Sequence, residues 1–158
     1  MTKHMRILIS GGPGAGSTST AKLIGAELGL PFQEQYAYDE RRQLLSNALD
    51  ATSKWILSGS IASWGMELPT VHCGVFLNPT KHERLRRLEI RERERFGCRI
   101  EAGGDMHSEN KSFMEWADSY DDRTGRGRNK NTDKDFLVQQ CVHFIEIKHS
   151  LSLDEVVA

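Results

Sequence analysis

Arg6-Ile7-Leu8-Ile9-Ser10 is a short apolar run that stops at a cluster of small residues, Gly11-Gly12-Pro13-Gly14-Ala15-Gly16. A helix-forming stretch from Thr20 to Leu28 follows, closed by Gly29. Strand, glycine turn and helix in direct succession leave few architectures open, because the helix must pack back on the sheet to which its strand belongs. The turn needs small residues for a physical reason. Glycine reaches dihedrals closed to other residues and lets another group come close to the main chain. Gly11 to Thr18 has the spacing of the G-x-x-x-x-G-K-[ST] loop in the strand-to-helix context that gives this pattern mechanical meaning, with Ser17 in the lysine position.

Leu30 opens a second strand running to about Tyr36, and Asp39 to Leu49 reads as a helix with Asp39 as a candidate N-cap. Lys54 to Ser58 reads as a third strand. His72 to Leu77 is a fourth, ending at Asn78-Pro79, after which Thr80 can cap a charged helix that runs through Phe96 and stops at Gly97. Cys98 to Asn110 reads as irregular, Lys111 to Tyr120 as a helix, and Asp121 to Lys134 as polar, glycine-interrupted mobile surface. Val142 to Ile147 is the last strand, and Ser152 with Glu155 makes a capping-box start for a final helix. Strands alternating with helices predict one α/β domain over residues 1–158, its sheet mostly parallel and covered on both faces.

With 21 Lys plus Arg against 22 Asp plus Glu, the chain advertises no global field, so neither nucleic acid nor a membrane surface is expected as a partner. Any anion site has to be local. Cys73, Cys98 and Cys141 have neither a disulfide framework nor metal-ligand spacing and are expected to be reduced thiols. No run approaches the roughly twenty apolar residues of a membrane span and the N-terminus lacks a secretory apolar core, so a cytoplasmic location is expected. His72, His82, His107, His143 and His149 show no metal-ligand spacing and are assigned no chemistry. The glycine turn is not a G-x-S-x-G elbow, which disfavours a hydrolase.

The chemistry therefore concentrates on the loop. Gly12, Pro13, Gly14, Ala15 and Gly16 let backbone N–H groups curl around a phosphate, and the helix behind them adds its positive end. Thr18 stands where a hydroxyl holds Mg2+, flanked by Ser17 and Ser19. A dinucleotide fingerprint G-x-G-x-x-G fits poorly, because its third glycine falls at Ser17 or Ser19. Lysine normally follows the phosphoryl group as charge develops, whereas serine offers a hydrogen bond without charge. An arginine from elsewhere then has to supply the missing cation.

Gly11 to Ser19 resembles the G-x-P-G-x-G-K-x-T loop of the nucleoside monophosphate kinase group, which includes the adenylate kinase-like proteins. Gly14 to Ser19 is similar to the G-S-G-T-T-T form of archaeal-type cytidylate kinases, which also lack the lysine. The resemblance extends to the third strand, to the fourth with its arginine-rich helix, and to the last strand. It implies a three-layer P-loop NTPase fold with a five-stranded sheet, ATP and Mg2+ as cofactors, transfer of the γ-phosphate to a small acceptor, and a lid at about residues 95–111. Arg84, Arg87, Arg91 and Arg95 recur on one helical face. The resemblance places Arg87 and Arg91 at the base of the lid, and Arg123, Arg126 and Arg128 where a second group of phosphate-binding arginines lies. Arg87, Arg91, Arg126 and Arg128 are the catalytic candidates, since planar guanidinium groups clamp phosphate oxygens. Interleaved Glu83, Glu89, Glu92, Glu94 and Glu101 equally allow a ladder of surface ion pairs.

The chain departs from the group at the end of strand three, where Ser58 replaces an aspartate that holds the magnesium hydration shell. Glu34 and Asp39 are the carboxylates that follow strand two, and the segment from there to strand three is short for an acceptor-binding region. Trp55 and Trp64 read first as core, with stacking on a substrate ring as the alternative for Trp64. These departures keep open a nucleotide-binding sensor or pseudokinase that holds ATP without transferring its phosphate, and behind it a structural domain with an empty loop.

Overall fold

A computed structural model describes residues 4–34 and 41–149. The elements are β1 (Met5–Gly11), α1 (Ser17–Leu28), β2 (Phe32–Glu34), α2 (Arg41–Asp50), β3 (Lys54–Ser58), β4 (Val71–Leu77), α3 (Lys81–Phe96), α4 (His107–Asp118), α5 (Lys130–Gln140) and β5 (Cys141–Ile147). Short 3-10 turns occupy Ala62–Trp64 and Gly97–Ile100. The strands pair in parallel in one sheet of order β2-β3-β1-β4-β5.

Period-two alternation along the strands feeds two separate cores. Leu8, Trp55, Leu57 and Phe76 point to one face, where Leu45 and Leu49 of α2 and Leu137 of α5 cover them. Ile7, Ile9, Ile56, Val75 and Leu77 point to the other, where Ala21 and Ile24 of α1 close over them. A parallel sheet has to be covered in this way, since its crossover helices occupy the faces. Each of the fully buried large side chains contributes about 1.5–3 kcal/mol.

The sheet order reverses around β1. The chain goes from β1 to the β2-β3 side and then returns to β4 and β5, so the C-terminal end of β1 lies between those of β3 and β4. Register sets Ile9 beside Ser58 and Gly11 beside Leu77. Such a reversal opens a crevice at the strand ends, where ligands of open α/β sheets bind.

Helix ends follow their caps. Thr80 Oγ1 accepts from Glu83 N at 3.3 Å to start α3, and Gly97 terminates it at φ 58°. Two stretches differ from the sequence reading. α4 begins at His107, inside the segment read as irregular, and α5 occupies Lys130–Gln140 where mobile surface was expected to reach Lys134. α5 starts from a capping box made by Asn129 and Thr132, each side chain accepting from the other's backbone N–H at 3.0 Å. The usual signature has Ser or Thr followed by Glu or Gln, so this pair carries the same geometry in other letters. Tyr36, Asp39 and the Ser152–Glu155 helix start lie outside the described residues. Among the described residues no helix is long and apolar enough to cross a membrane. Cys73, Cys98 and Cys141 are free thiols.

Candidate phosphate-binding site

α1 begins at Ser17 with Gly16 as its N-cap at φ 90°, and no side chain caps it. The first N–H groups of any helix find no acceptor inside it, so those of Ser17, Thr18 and Ser19 face outward at the positive end of α1. Gly14 and Gly16 both sit in the left-handed region, at φ 80° and 90°, which excludes a β-branched residue at either position.

The loop carbonyls follow a pattern. Those of Gly12 and Gly16 accept from the backbone of Ala15 and Thr20, each at 3.0 Å. The alternate ones accept from arginines: Gly11 from Arg128 Nη2 at 3.2 Å, Pro13 from Arg84 Nη1 at 2.9 Å, and Ala15 from Arg87 Nη1 at 3.3 Å. In a trans peptide the N–H points opposite to its carbonyl. The N–H of Gly14 is therefore turned away from the Arg84 guanidinium that holds the Pro13 carbonyl.

A cleft of about 830 Å³ opens on this loop, and Gly12 through Thr20 line it continuously. Ser58, Gly59 and Ser60 form the wall beyond β3. Arg87 and Arg91 come from α3, Phe113 and Trp116 from α4, and Arg128 and His149 from the segments flanking α5 and β5. No Asp or Glu lines the cleft among the described residues. Thr18 Oγ1 and Ser58 Oγ lie 3.2 Å apart within it.

The structure thus brings together Gly12 to Ser19, Arg87, Arg91 and Arg128. Arg126 stands apart, exposed between Gly125 and Gly127 and outside the cleft wall. Arg91 pairs with Glu92 at 2.9 Å and lies over the Phe113 ring at 5.8 Å. Arg86 is exposed and paired with Glu83, whose carboxyl it holds below the usual range. In the segment expected to form a lid, Arg99 pairs with Asp105 at 2.6 Å and Met106 N donates to the Arg99 carbonyl at 3.0 Å. Trp64 is buried in the core beside Trp55 and lines no part of the cleft. Glu34 pairs by register with Ser58, which puts its backbone at the same end of the sheet.

Several residues escaped sequence reasoning. His149, given no chemistry, lines the cleft, as do Phe113 and Trp116. Arg84 is 1% exposed, paired with Asp121 and stacked 5.1 Å from the Tyr120 ring centroid. Asp133 is also 1% exposed and gathers three partners: Ser60 Oγ donates at 2.5 Å, Tyr120 Oη at 2.8 Å, and Arg128 Nε lies at 3.5 Å. Burial, and then the charge of Asp133, push the Tyr120 hydroxyl far above its ordinary range, so Tyr120 remains a donor. The helical face shared by Arg84, Arg87 and Arg91 was the available signal for Arg84. Nothing local marked Asp133, whose partners lie on other elements.

A parallel sheet reversing at β1, with a glycine loop between β1 and α1 opening the crevice, defines a protein of the P-loop kinase fold. Shikimate kinase from Bacteroides thetaiotaomicron shares it at a TM-score of 0.53 and 18% identity, over 97% of this chain and 94% of that one. A gluconokinase from Sinorhizobium meliloti 1021 aligns more loosely, at a TM-score of 0.46 and 15% identity over 99% and 89% of the two chains. The Bacillus subtilis (strain 168) protein YqaC, described as uncharacterized, is 33% identical over 125 residues, covering 78% of this chain and 70% of YqaC. This chain belongs to the same family as YqaC. No protein-family profile matches it.

Proposed function

We propose that the protein binds ATP at the Gly12–Ser19 loop and transfers its γ-phosphate to a small acceptor, as a phosphotransferase similar to the adenylate and cytidylate kinases. The observation that carries this reading is the cleft itself, where glycine-loop N–H groups and a helix N-terminus meet Arg87, Arg91 and Arg128 with no described carboxylate in the wall. Such a lining favours a polyanion, since no carboxylate among the described residues faces it directly. A Cβ on Gly16 would meet only Arg87 Nη1, at 3.5 Å, so the space over the loop is open to a phosphate.

Mg2+ fits the donor set in a restricted way. Thr18 and Ser58 offer two hydroxyl oxygens, and the described residues contain no cluster of three His, Cys, Asp or Glu that could cage a metal. Magnesium keeps several waters and binds through one or two protein oxygens plus substrate phosphates, which this pair can serve. When bound, the ion would neutralise charge on the phosphate chain. The chain's own residues do the rest: the loop holds the phosphates, Arg87 and Arg128 set positive charge beside them, and Phe113 and Trp116 shield that side from water.

A second reading, a sensor that binds ATP without transfer, is favoured by serine at both Ser17 and Ser58. One experiment separates the two. Calorimetry with MgATP should show binding that Gly16→Val abolishes, and a screen of small hydroxyl and phosphate acceptors should then show acceptor-dependent ADP release. Binding without release supports the sensor, and absence of binding removes both readings.

A further inference from the structure

We propose that Arg84 is a positioning residue for the phosphate site: it fixes the Pro13–Gly14 peptide so that the Gly14 N–H faces the ligand. The proposal rests on the reading of the loop as a phosphate cradle and deepens it.

Four observations converge on Arg84. Its side chain is 1% exposed although it belongs to a helix rich in solvated arginines. Its Nη1 donates to the Pro13 carbonyl at 2.9 Å, and its Nη2 pairs with Asp121. Its Nε has no hydrogen-bond partner among the described residues and lies 3.1 Å from where a Cβ on Gly12 would sit, so the guanidinium plane packs against the main chain of the loop. Its own carbonyl abuts Gly14, since a Cβ there would collide with Arg84 O. At Arg84, therefore, α3 touches the loop both through a side chain and through its backbone.

The physical consequence is orientation. A glycine-rich loop loses much conformational entropy when ordered, and an unheld peptide at Pro13–Gly14 would rotate freely enough to spoil the cradle. A guanidinium grips the carbonyl from outside and turns the N–H inward before any ligand arrives. Asp121 neutralises that guanidinium, and Lys130 pairs with the same carboxylate at 3.3 Å. Arg84, buried and neutralised by Asp121, thus acts through the shape of the loop and not through long-range charge.

The test is Arg84→Met, which keeps the bulk and leaves Asp121 with Lys130. Two quantities are read: backbone amide order parameters of the ligand-free protein, and MgATP affinity by calorimetry at two salt concentrations. The expected result is a drop in order confined to Gly12 and to Gly14, Ala15 and Gly16, Pro13 having no amide to read. Affinity should fall about ten- to a hundredfold, the weight of one charge-assisted hydrogen bond, with its salt dependence unchanged. Arg84→Lys should not restore it, since an ammonium cannot fork between Pro13 and Asp121. Unaltered loop order in folded Arg84→Met overturns the proposal, and so does full rescue by Arg84→Lys. Failure of the wild-type protein to bind MgATP would remove the phosphate reading instead, while the order parameters still decide for Arg84. Should Arg84→Met not fold, Asp121→Asn loosens the same guanidinium, and an unaltered loop in that variant counts equally against the proposal.

Discussion

Arg128 donates from Nη2 to the Gly11 carbonyl at 3.2 Å, joining the first turn of the phosphate loop to a residue 117 positions later. The same guanidinium lies 5.6 Å from the Trp116 ring centroid, as does that of Arg123 on that indole. Asp133 holds it from behind. Arg128 is thus preorganised at the wall of the cleft, and under the proposed function it is the cation that stands in for the lysine absent at Ser17.

If Arg128 stabilises charge developing on a transferred phosphate, Arg128→Ala should lower phosphotransfer about a hundred- to a thousandfold, with a smaller loss of MgATP affinity. Arg126→Ala should change the rate less than about twofold, because Arg126 is exposed and outside the cleft wall. Steady-state kinetics on the two variants checks this. Equal effects would mean that the exposed loop closes over the ligand in a conformation other than this one.

Asp133 predicts a stability effect. It satisfies Ser60 and Tyr120 and faces Arg128 at 1% exposure. Asp133→Ala leaves those groups unpaired and a guanidinium without its counter-charge, so it should cost about 3–5 kcal/mol in urea unfolding. Tyr120→Phe removes one hydrogen bond from the same cluster and should cost about 1–2 kcal/mol. A double-mutant cycle between positions 120 and 133 should show coupling well away from zero.

Ser17→Lys restores a point charge at the loop position where lysine is usual. It should leave the fold intact, since Ser17 opens α1 at the cleft surface. MgATP should bind more tightly, and phosphotransfer in Arg128→Ala should be partly rescued if both charges act on one phosphate. Measuring the rescue in the double variant is decisive, because charges on different phosphates would give simple additivity.

The loop, the β3 strand and α3 with both its caps were legible because each is specified locally. Gly12 to Gly16 form a turn that their small residues mark, and Thr80 and Gly97 bracket a charged helix. What the sequence hid is long-range. α5 was lost because its cap is an Asn–Thr pair and its buried Asp133 reads as solvated polar surface. Arg84 looked like its neighbours until Tyr120 and Asp121 were seen to enclose it. The arginine candidates were chosen by position in a resemblance, and the structure brings Arg87, Arg91 and Arg128 to the cleft and leaves Arg126 outside its wall.

β5 lies at the sheet edge, paired in parallel with β4, and its Glu146 carboxylate adds side-chain ties to its neighbours. Glu146 accepts from Lys134 of α5 at 2.7 Å and from Asn78, which follows β4, at 2.8 Å. The hydrogen bond from Lys134 holds the Glu146 carboxyl below its ordinary 4.5, with Asn78 adding to the effect. A carboxylate depressed in the folded state stabilises fully above its unfolded value, and the contribution fades as pH falls through the folded value. Glu146→Gln should therefore cost about 1 kcal/mol at neutral pH, a modest figure because Lys134 is partly exposed and screened. The gap between wild type and variant should narrow as pH falls below the ordinary 4.5 and through the lower folded value. Urea unfolding of both proteins across that range checks the sign: a gap that persists unchanged at pH 3 would show that Glu146 stabilises β5 by packing and neutral hydrogen bonds, not by its charge.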